Sequence, residues 1–217
     1  MVSSSFQRAH EFHRAGVAAF QQGRVQDAIG AFEQALAIDS TFAEAHSDLG
    51  VMLLSVGRVA EALANHERAV ALRPNSAAAH ANLGMALCAQ GKLDLAEDYF
   101  RRALELDPGI AEVHNNLGFV LKQTGRFALA QESLSRAISL NPRYAVAHSN
   151  MGGVFLALDR LENAAASFRT SLEINPRQID ILNQLGSTEL ALGRAEVAAE
   201  LCVRGLKLEL TKPGRAL

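Results

Sequence analysis

Residues 77–110 read AAAHANLGMALCAQGKLDLAEDYFRRALELDPGI. Small and large positions alternate here in a set order: Leu83-Gly84, Leu87, Gly91, Ala96, Phe100, Ala103 and Pro108. The same order returns at one fixed interval. Glycine recurs every 34 residues at Gly16, Gly50, Gly84, Gly118, Gly152 and Gly186. A second series at that interval is Ala28, Ala62, Ala96, Ala130, Ala164 and Ala198, and prolines mark junctions at Pro74, Pro108, Pro142 and Pro176. Self-similarity at a period of 20–50 residues marks a repeat architecture. Starting at Ala9, six units follow: 9–42, 43–76, 77–110, 111–144, 145–178 and 179–212, with residues 1–8 as lead-in to the first helix and 213–217 as a tail.

Each unit reads as two helices. In the fourth, Val113, Leu117, Val120 and Leu121 recur at helical spacing, Gly125 interrupts, and Leu129, Leu134, Ile138 and Leu140 resume until Asn141-Pro142. Glycine tolerates the left-handed conformation that ends a helix. Gly23, Gly57, Gly91, Gly125 and Gly193 fill that place, and Asp159 stands there in the fifth unit, where the turn is expected to survive. The glycines inside the helices need another reason, because each costs about 1 kcal/mol against alanine. Close approach of two helices supplies it, with the Ala28 to Ala198 series as the expected facing partner.

Composition narrows the function. The chain has 217 residues, 49% hydrophobic, with 21 Lys and Arg against 23 Asp and Glu. That is too apolar and too near neutrality for disorder, and it lacks the basic excess of a nucleic-acid binder. The N-terminus has no apolar signal core. The longest stretch without charge, Pro74 to Gly91, contains Asn75, Ser76, His80, Asn82 and Gln90 and is no membrane span. Cys88 and Cys202 make neither a disulfide framework nor a four-ligand zinc site. A cytoplasmic location is expected, with no membrane and no nucleic-acid partner. No Walker-type loop, HExxH, CxxC or GxSxG motif is present, so no catalytic residue, metal or cofactor is assigned.

The pattern Leu83-Gly84, Leu87, Gly91, Ala96, Phe100, Ala103, Pro108 resembles the tetratricopeptide repeat family, and the likeness extends over all six units. The end units depart most: Ala15 and Ser40 in the first, Glu189, Cys202 and Leu210 in the sixth. His66 and Leu134 replace the aromatic residue inside the array. The resemblance implies an all-α fold, a right-handed α-solenoid whose first helices line a concave groove. It also implies a non-catalytic scaffold that binds a partner protein or peptide there.

The groove position reads Arg14, Asp48, Asn82, Asn116, Asn150 and Gln184. An asparagine offers one acceptor and two donors and can hold a peptide unit of any sequence. Asp48, Asn82, Asn116, Asn150 and Gln184, with Asn115, are the candidate peptide-binding residues, and replacing Asn82, Asn116 and Asn150 is expected to leave stability nearly unchanged. Another series, His46, His80, His114 and His148, is read as packing. Two nitrogens on one zinc lie within ~4 Å, whereas neighbouring repeats lie about twice as far apart. The carboxylate clamp of chaperone-binding members would fall on His13, Val17, Asp48, Ala78 and Asn82, or on Ser47, Val51, Asn82, Glu112 and Asn116, and neither set supplies its cations. The pattern His-x-Asn-Leu-Gly at His80 and His114 also resembles the repeat arm of O-linked N-acetylglucosamine transferases, which implies a substrate-recruiting arm without its catalytic domain. The last helix, about Glu196 to Leu208, is expected to expose apolar surface and to support weak self-association through repeat six, with Leu201 and Val197 on the open face.

Overall fold

The computed structural model describes residues 2–211; the 213–217 tail and Lys212, at the end of the sixth repeat, lie outside the described residues. Among the described residues there are twelve α-helices and no strand. They are α1 (Val2–Gln21), α2 (Val25–Ile38), α3 (Ala43–Ser55), α4 (Val59–Leu72), α5 (Ala77–Ala89), α6 (Leu93–Leu106), α7 (Ala111–Gln123), α8 (Phe127–Leu140), α9 (Ala145–Ala157), α10 (Leu161–Ile174), α11 (Ile179–Ala191) and α12 (Ala195–Leu210).

The helices form two compact units, one ending at Pro108 and the other beginning at Gly109. In the first, α1 pairs with α2, α3 with α4 and α5 with α6, and α2 also packs on α3 and α4 on α5. In the second, α7 pairs with α8, α9 with α10 and α11 with α12, joined in the same manner. The turn inside each pair is sharp because one residue adopts the left-handed conformation. Gly91 does so at φ +79°, and Asp159, the one non-glycine among them, at +55°.

Inside each pair the helices meet at the glycine of the first helix. A Cβ added to Gly84 would lie 2.7 Å from Phe100 Cε1, and one on Gly152 would lie 2.5 Å from Phe168 Cε1. Phe32 covers Gly16, His66 covers Gly50 and Leu134 covers Gly118 in the same way. In five pairs the side chain seated on the glycine is the large residue one turn beyond the small one, while the expected alanine series lies beside it and meets a glycine through its backbone at Gly118 (Ala130 carbonyl, 3.3 Å) and Gly186 (Ala198 carbonyl, 3.7 Å). Ala28, Ala62, Ala96, Ala130 and Ala164 are fully buried beside the contact. Long helical side chains lean back toward their own N-terminus, so the residue one turn later reaches the glycine.

The sixth pair lacks this contact. Cys202 stands in the aromatic place, and the nearest atoms to a Cβ on Gly186 are the Ala198 carbonyl oxygen at 3.7 Å and Leu201 Cβ at 3.8 Å. An open pocket of about 310 Å³ lies there, lined by Leu182, Gly186, Leu190, Ala198 and Cys202 among others. Leu201 and Leu208 turn inward onto a cluster of Phe168, Leu172, Leu182 and Leu185. Leu201 is thus a packing residue and not part of the open face, against the sequence expectation. Repeat six is instead tied on by Glu189, which is fully buried in α11 and accepts bonds from Arg169 of α10 and, at 3.1 Å, from Arg194.

Two outcomes follow from the glycine contact. Gly84→Ala should lower the melting temperature clearly, because its methyl group has no room. Gly186→Ala should hold or raise it, since the methyl has ordinary contact distances and alanine is the better helix former by about 1 kcal/mol. Equal effects in thermal melts would remove the glycine contact as the determinant of helix spacing.

His66 gives a second test. Its ring is fully buried and both nitrogens lack a hydrogen-bond partner among the described residues. Burial pushes its pKa down to about 4. The folded ring therefore stays neutral where an unfolded histidine, at about 6.5, takes up a proton. Its contribution is intact above pH 6.5 and is lost as pH falls toward 4. His66→Phe, matching the residue used at Phe32 and Phe100, should stabilise by roughly 1–3 kcal/mol and flatten the loss between pH 6.5 and 4 in denaturant titrations.

Candidate binding faces of the first helices

The candidate residues sit on first helices, and the structure joins them across repeats. The His13 ring nitrogen Nε2 donates to Asp48 Oδ2 at 2.8 Å, Asn82 Nδ2 donates to Ser47 Oγ at 2.9 Å, and Asn150 Nδ2 donates to Asn115 Oδ1 at 2.9 Å. All three bonds link residues 35 apart. The groove position of one repeat is thus anchored to the position one residue earlier in the preceding repeat. Asn115 also donates to Asn116 Oδ1 at 3.2 Å. It is only 3% exposed, so it orients Asn116 and Asn150 rather than reaching a partner. Asp48, Asn82, Asn116 and Asn150 are half-buried, and Gln184 is exposed.

Each anchored amide retains capacity by its own valence. Asn82 and Asn150 each keep a carbonyl oxygen and a second N–H, and Asn116 keeps its two donors. Apolar side chains stand three residues beyond the groove position, on the same face of the helix. Val51 follows Asp48 and Met85 follows Asn82, both exposed, and Phe119 follows Asn116. Val146, four residues before Asn150, is exposed too. The 34-residue period carried this apolar series, Val51, Met85 and Phe119, but its members differ in size and chemistry, so it does not stand out in the sequence.

The faces of the two units differ in charge. In the first unit a cleft of about 280 Å³ is lined by His13, Glu44, Ser47, Asp48 and Arg73 among others. Arg73 is ion-paired with Glu44, leaving Asp48 on His13 as the second acidic group. In the second unit Lys122 Nζ lies 5.3 Å from the centre of the Phe119 ring, a cation–π contact. Its chain passes over Gly153, where a Cβ would come within 3.3 Å of Nζ. Burial holds the Lys122 ammonium below its ordinary pKa.

The histidine series is structural. His80 Nε2 donates to the Pro74 carbonyl at 2.8 Å, His148 to that of Pro142 at 3.0 Å and His46 to that of Ser40 at 3.2 Å. Each ring thereby ties its helix to the junction six residues earlier. Among the described residues no group of three or more His, Cys, Asp or Glu side chains is placed to hold a metal ion, and no helix is long and apolar enough to cross a membrane.

Models described as tetratricopeptide repeat match residues 41–109, 75–143 and 116–179, and a model described as TPR repeat matches 16–57. The chain belongs to the tetratricopeptide repeat family. No curated protein matches it. Among solved structures, this tetratricopeptide chain is similar to a chain of the APC/C hetero-tetramer Cut9–Hcn1, at 17% identity and a TM-score of 0.87 over 95% of this chain. It covers 41% of that chain, about two fifths of its length. PilW, a type IV pilus biogenesis factor, is 20% identical with a TM-score of 0.86 over 94% of this chain and 95% of its own. A thermophilic TPR protein of Thermus thermophilus is 27% identical with a TM-score of 0.70 over 84% of this chain and 99% of its own.

The bonds between tetratricopeptide repeats change the expected response to mutation. Asn150→Ala removes the donor to the buried Asn115 and should destabilise by about 1–2 kcal/mol. Gln184→Ala, at an exposed side chain, should stay within roughly ±0.5 kcal/mol. Urea unfolding of the two variants distinguishes an anchored residue from one that only faces solvent.

Proposed function

We propose that this chain is a non-catalytic interaction scaffold whose first-helix faces hold an extended segment of a partner protein. The observation that carries the reading is a set of fixed amides with apolar neighbours on the same face: Asn82 and Asn150, each bonded to the preceding repeat, beside Met85 and Val146, and Asn116, held by Asn115 of its own helix, beside Phe119. An amide held at one end loses little conformational freedom on binding, so its remaining donor or acceptor engages a peptide unit at low entropic cost. The apolar neighbours supply buried area, and the polar groups set register. Asp48 in the first unit favours a basic or N–H-rich stretch of the partner, and Lys122 on Phe119 in the second favours an acidic one. A chain of similar fold occurs in the APC/C hetero-tetramer Cut9–Hcn1, which accords with a scaffold role. A cytoplasmic setting is part of the proposal and fits the free thiols of Cys88 and Cys202.

Selection of peptides from a random displayed library on the intact protein tests this. Peptides selected by the second unit should lose about tenfold or more in affinity, equivalent to ~1.4 kcal/mol, with Asn116→Ala/Asn150→Ala, and those selected by the first unit with Val51→Ser/Met85→Ser. Lys122→Met should lower affinity for acidic peptides only. Variants that bind as wild type while remaining folded by circular dichroism would move recognition to another face.

A further inference from the structure

Within each unit, α2, α4, α8 and α10 each have one face covered by the first helix that follows. On α2 that face includes Ile29 and Leu36, packed with Leu49, Met52 and Leu53 of α3. On α10 it includes Ala165 and Leu172, packed with Leu182 and Leu185 of α11, and Arg169, which reaches Glu189. The same places on α12 are Ala199, Val203 and Leu206, with Leu210 one turn further. Val203 is 49% exposed, Leu206 57% and Leu210 86%. The spacing of four, three and four residues makes this row a continuous seam along the helix.

Two observations select what covers it. The face of α1 that would receive a preceding repeat is Glu11, Ala15 and Ala18, all exposed, where α3 carries the buried Ala45, Leu49 and Met52. A head-to-tail stack of copies would set Val203 and Leu206 against an acid and two alanines, with no large side chain to fill the gaps between them. The α12 seam is itself flanked, on one edge, by Glu200 and Lys207, both exposed and in no ion pair among the described residues. Opposite charges seven residues apart on one edge complement a second copy of the same helix running the other way.

We propose that α12 is the interface of a tail-to-tail homodimer, with two α12 helices antiparallel about a two-fold axis beside Arg204 and Gly205. Val203 packs on Leu206 of the other copy and Ala199 on its Leu210. Glu200 pairs with Lys207 of the other copy, twice by symmetry. A slide of one heptad toward the helix N-termini is blocked, because it sets Glu196 against Leu206, and a slide the other way takes Ala199 and Val203 out of the contact. Parallel pairing leaves Glu200 opposite Ala195 and wastes the charges. The seam is short, below the area of a standard stable interface, so the dimer dissociates on dilution.

Sedimentation velocity of the full chain over a wide concentration range is the test. Wild type should pass from monomer to dimer and no further. Leu206→Glu should be monomeric throughout, with unchanged helicity and melting temperature, because the site is exposed. Glu200→Lys and Lys207→Glu should each weaken dimerisation about tenfold. The double variant Glu200→Lys/Lys207→Glu should recover wild-type association, and an equal mixture of the two single variants should dimerise better than either alone. A monomeric wild type, growth beyond the dimer, association that survives Leu206→Glu, or a double variant as weak as the singles would each overturn the proposal.

Discussion

The seat of a large side chain on a helical glycine governs the rest of this structure. Where Phe100 lies on Gly84 and Phe168 on Gly152, no Cβ intervenes, and the two helices of a pair close to a distance that any side chain on the glycine would prevent. That spacing buries Ala96 and Ala164 fully beside the rings and leaves the next first helix within packing reach. The contact also explains which residues can vary. Leu134 fills the seat with a branched chain and keeps its pair intact, whereas His66 fills it with a ring whose two nitrogens find no partner. The fold accepts the histidine because shape at the seat matters more than the chemistry of the ring, and the unfavourable term is a buried polar group rather than a gap.

Much of this was legible in the chain. The 34-residue recurrence, the paired helices and the left-handed turns, including the one at Asp159, follow from glycine, proline and apolar spacing alone. The partner of each glycine was not, because periodicity shows which residues share a helix face but not how far one helix slides along the next. A slide of one turn exchanges Ala96 for Phe100. The anchoring of the asparagines was hidden for the same reason. Their bonds run from one repeat to the residue one place earlier in the preceding repeat, a relation of 35 that lies just off the period. Asn115 reads as exposed polar by type, and only the packing shows it buried. Glu189 reads as a flaw at an apolar position until Arg169, twenty residues away, is seen to reach it.

The two kinds of helix divide the labour of the chain. First helices carry the anchored amides and the exposed Val51, Met85 and Val146, a mixture suited to gripping a backbone while sampling its side chains. Second helices carry the large side chains that seat on glycine, and within each unit the outer faces of α2, α4, α8 and α10 are covered by the helix that follows. The polar and charged groups follow the same division, since His46, His80 and His148 close the junctions while Asp48 and Lys122 stand on the open faces.

The buried Glu189 has a consequence for how the molecule comes apart. Elsewhere neighbouring helices are held mainly by shape and apolar area, which added salt leaves nearly untouched or strengthens, with the bonds of Asp48, Asn82 and Asn150 and the Arg73–Glu44 ion pair beside them. The last pair lacks the seated ring and depends instead on one acid bridged by Arg169 and Arg194, whose side chains are partly open to water. The acid is fully buried and little screened by salt, so the bridge is held by geometry and loses most when either arginine is removed. In a chain whose stability is passed from neighbour to neighbour, the end with the weakest local term frays first. Amide hydrogen exchange along α11 and α12 then runs ahead of the inner repeats, whose pairs keep the seated side chain.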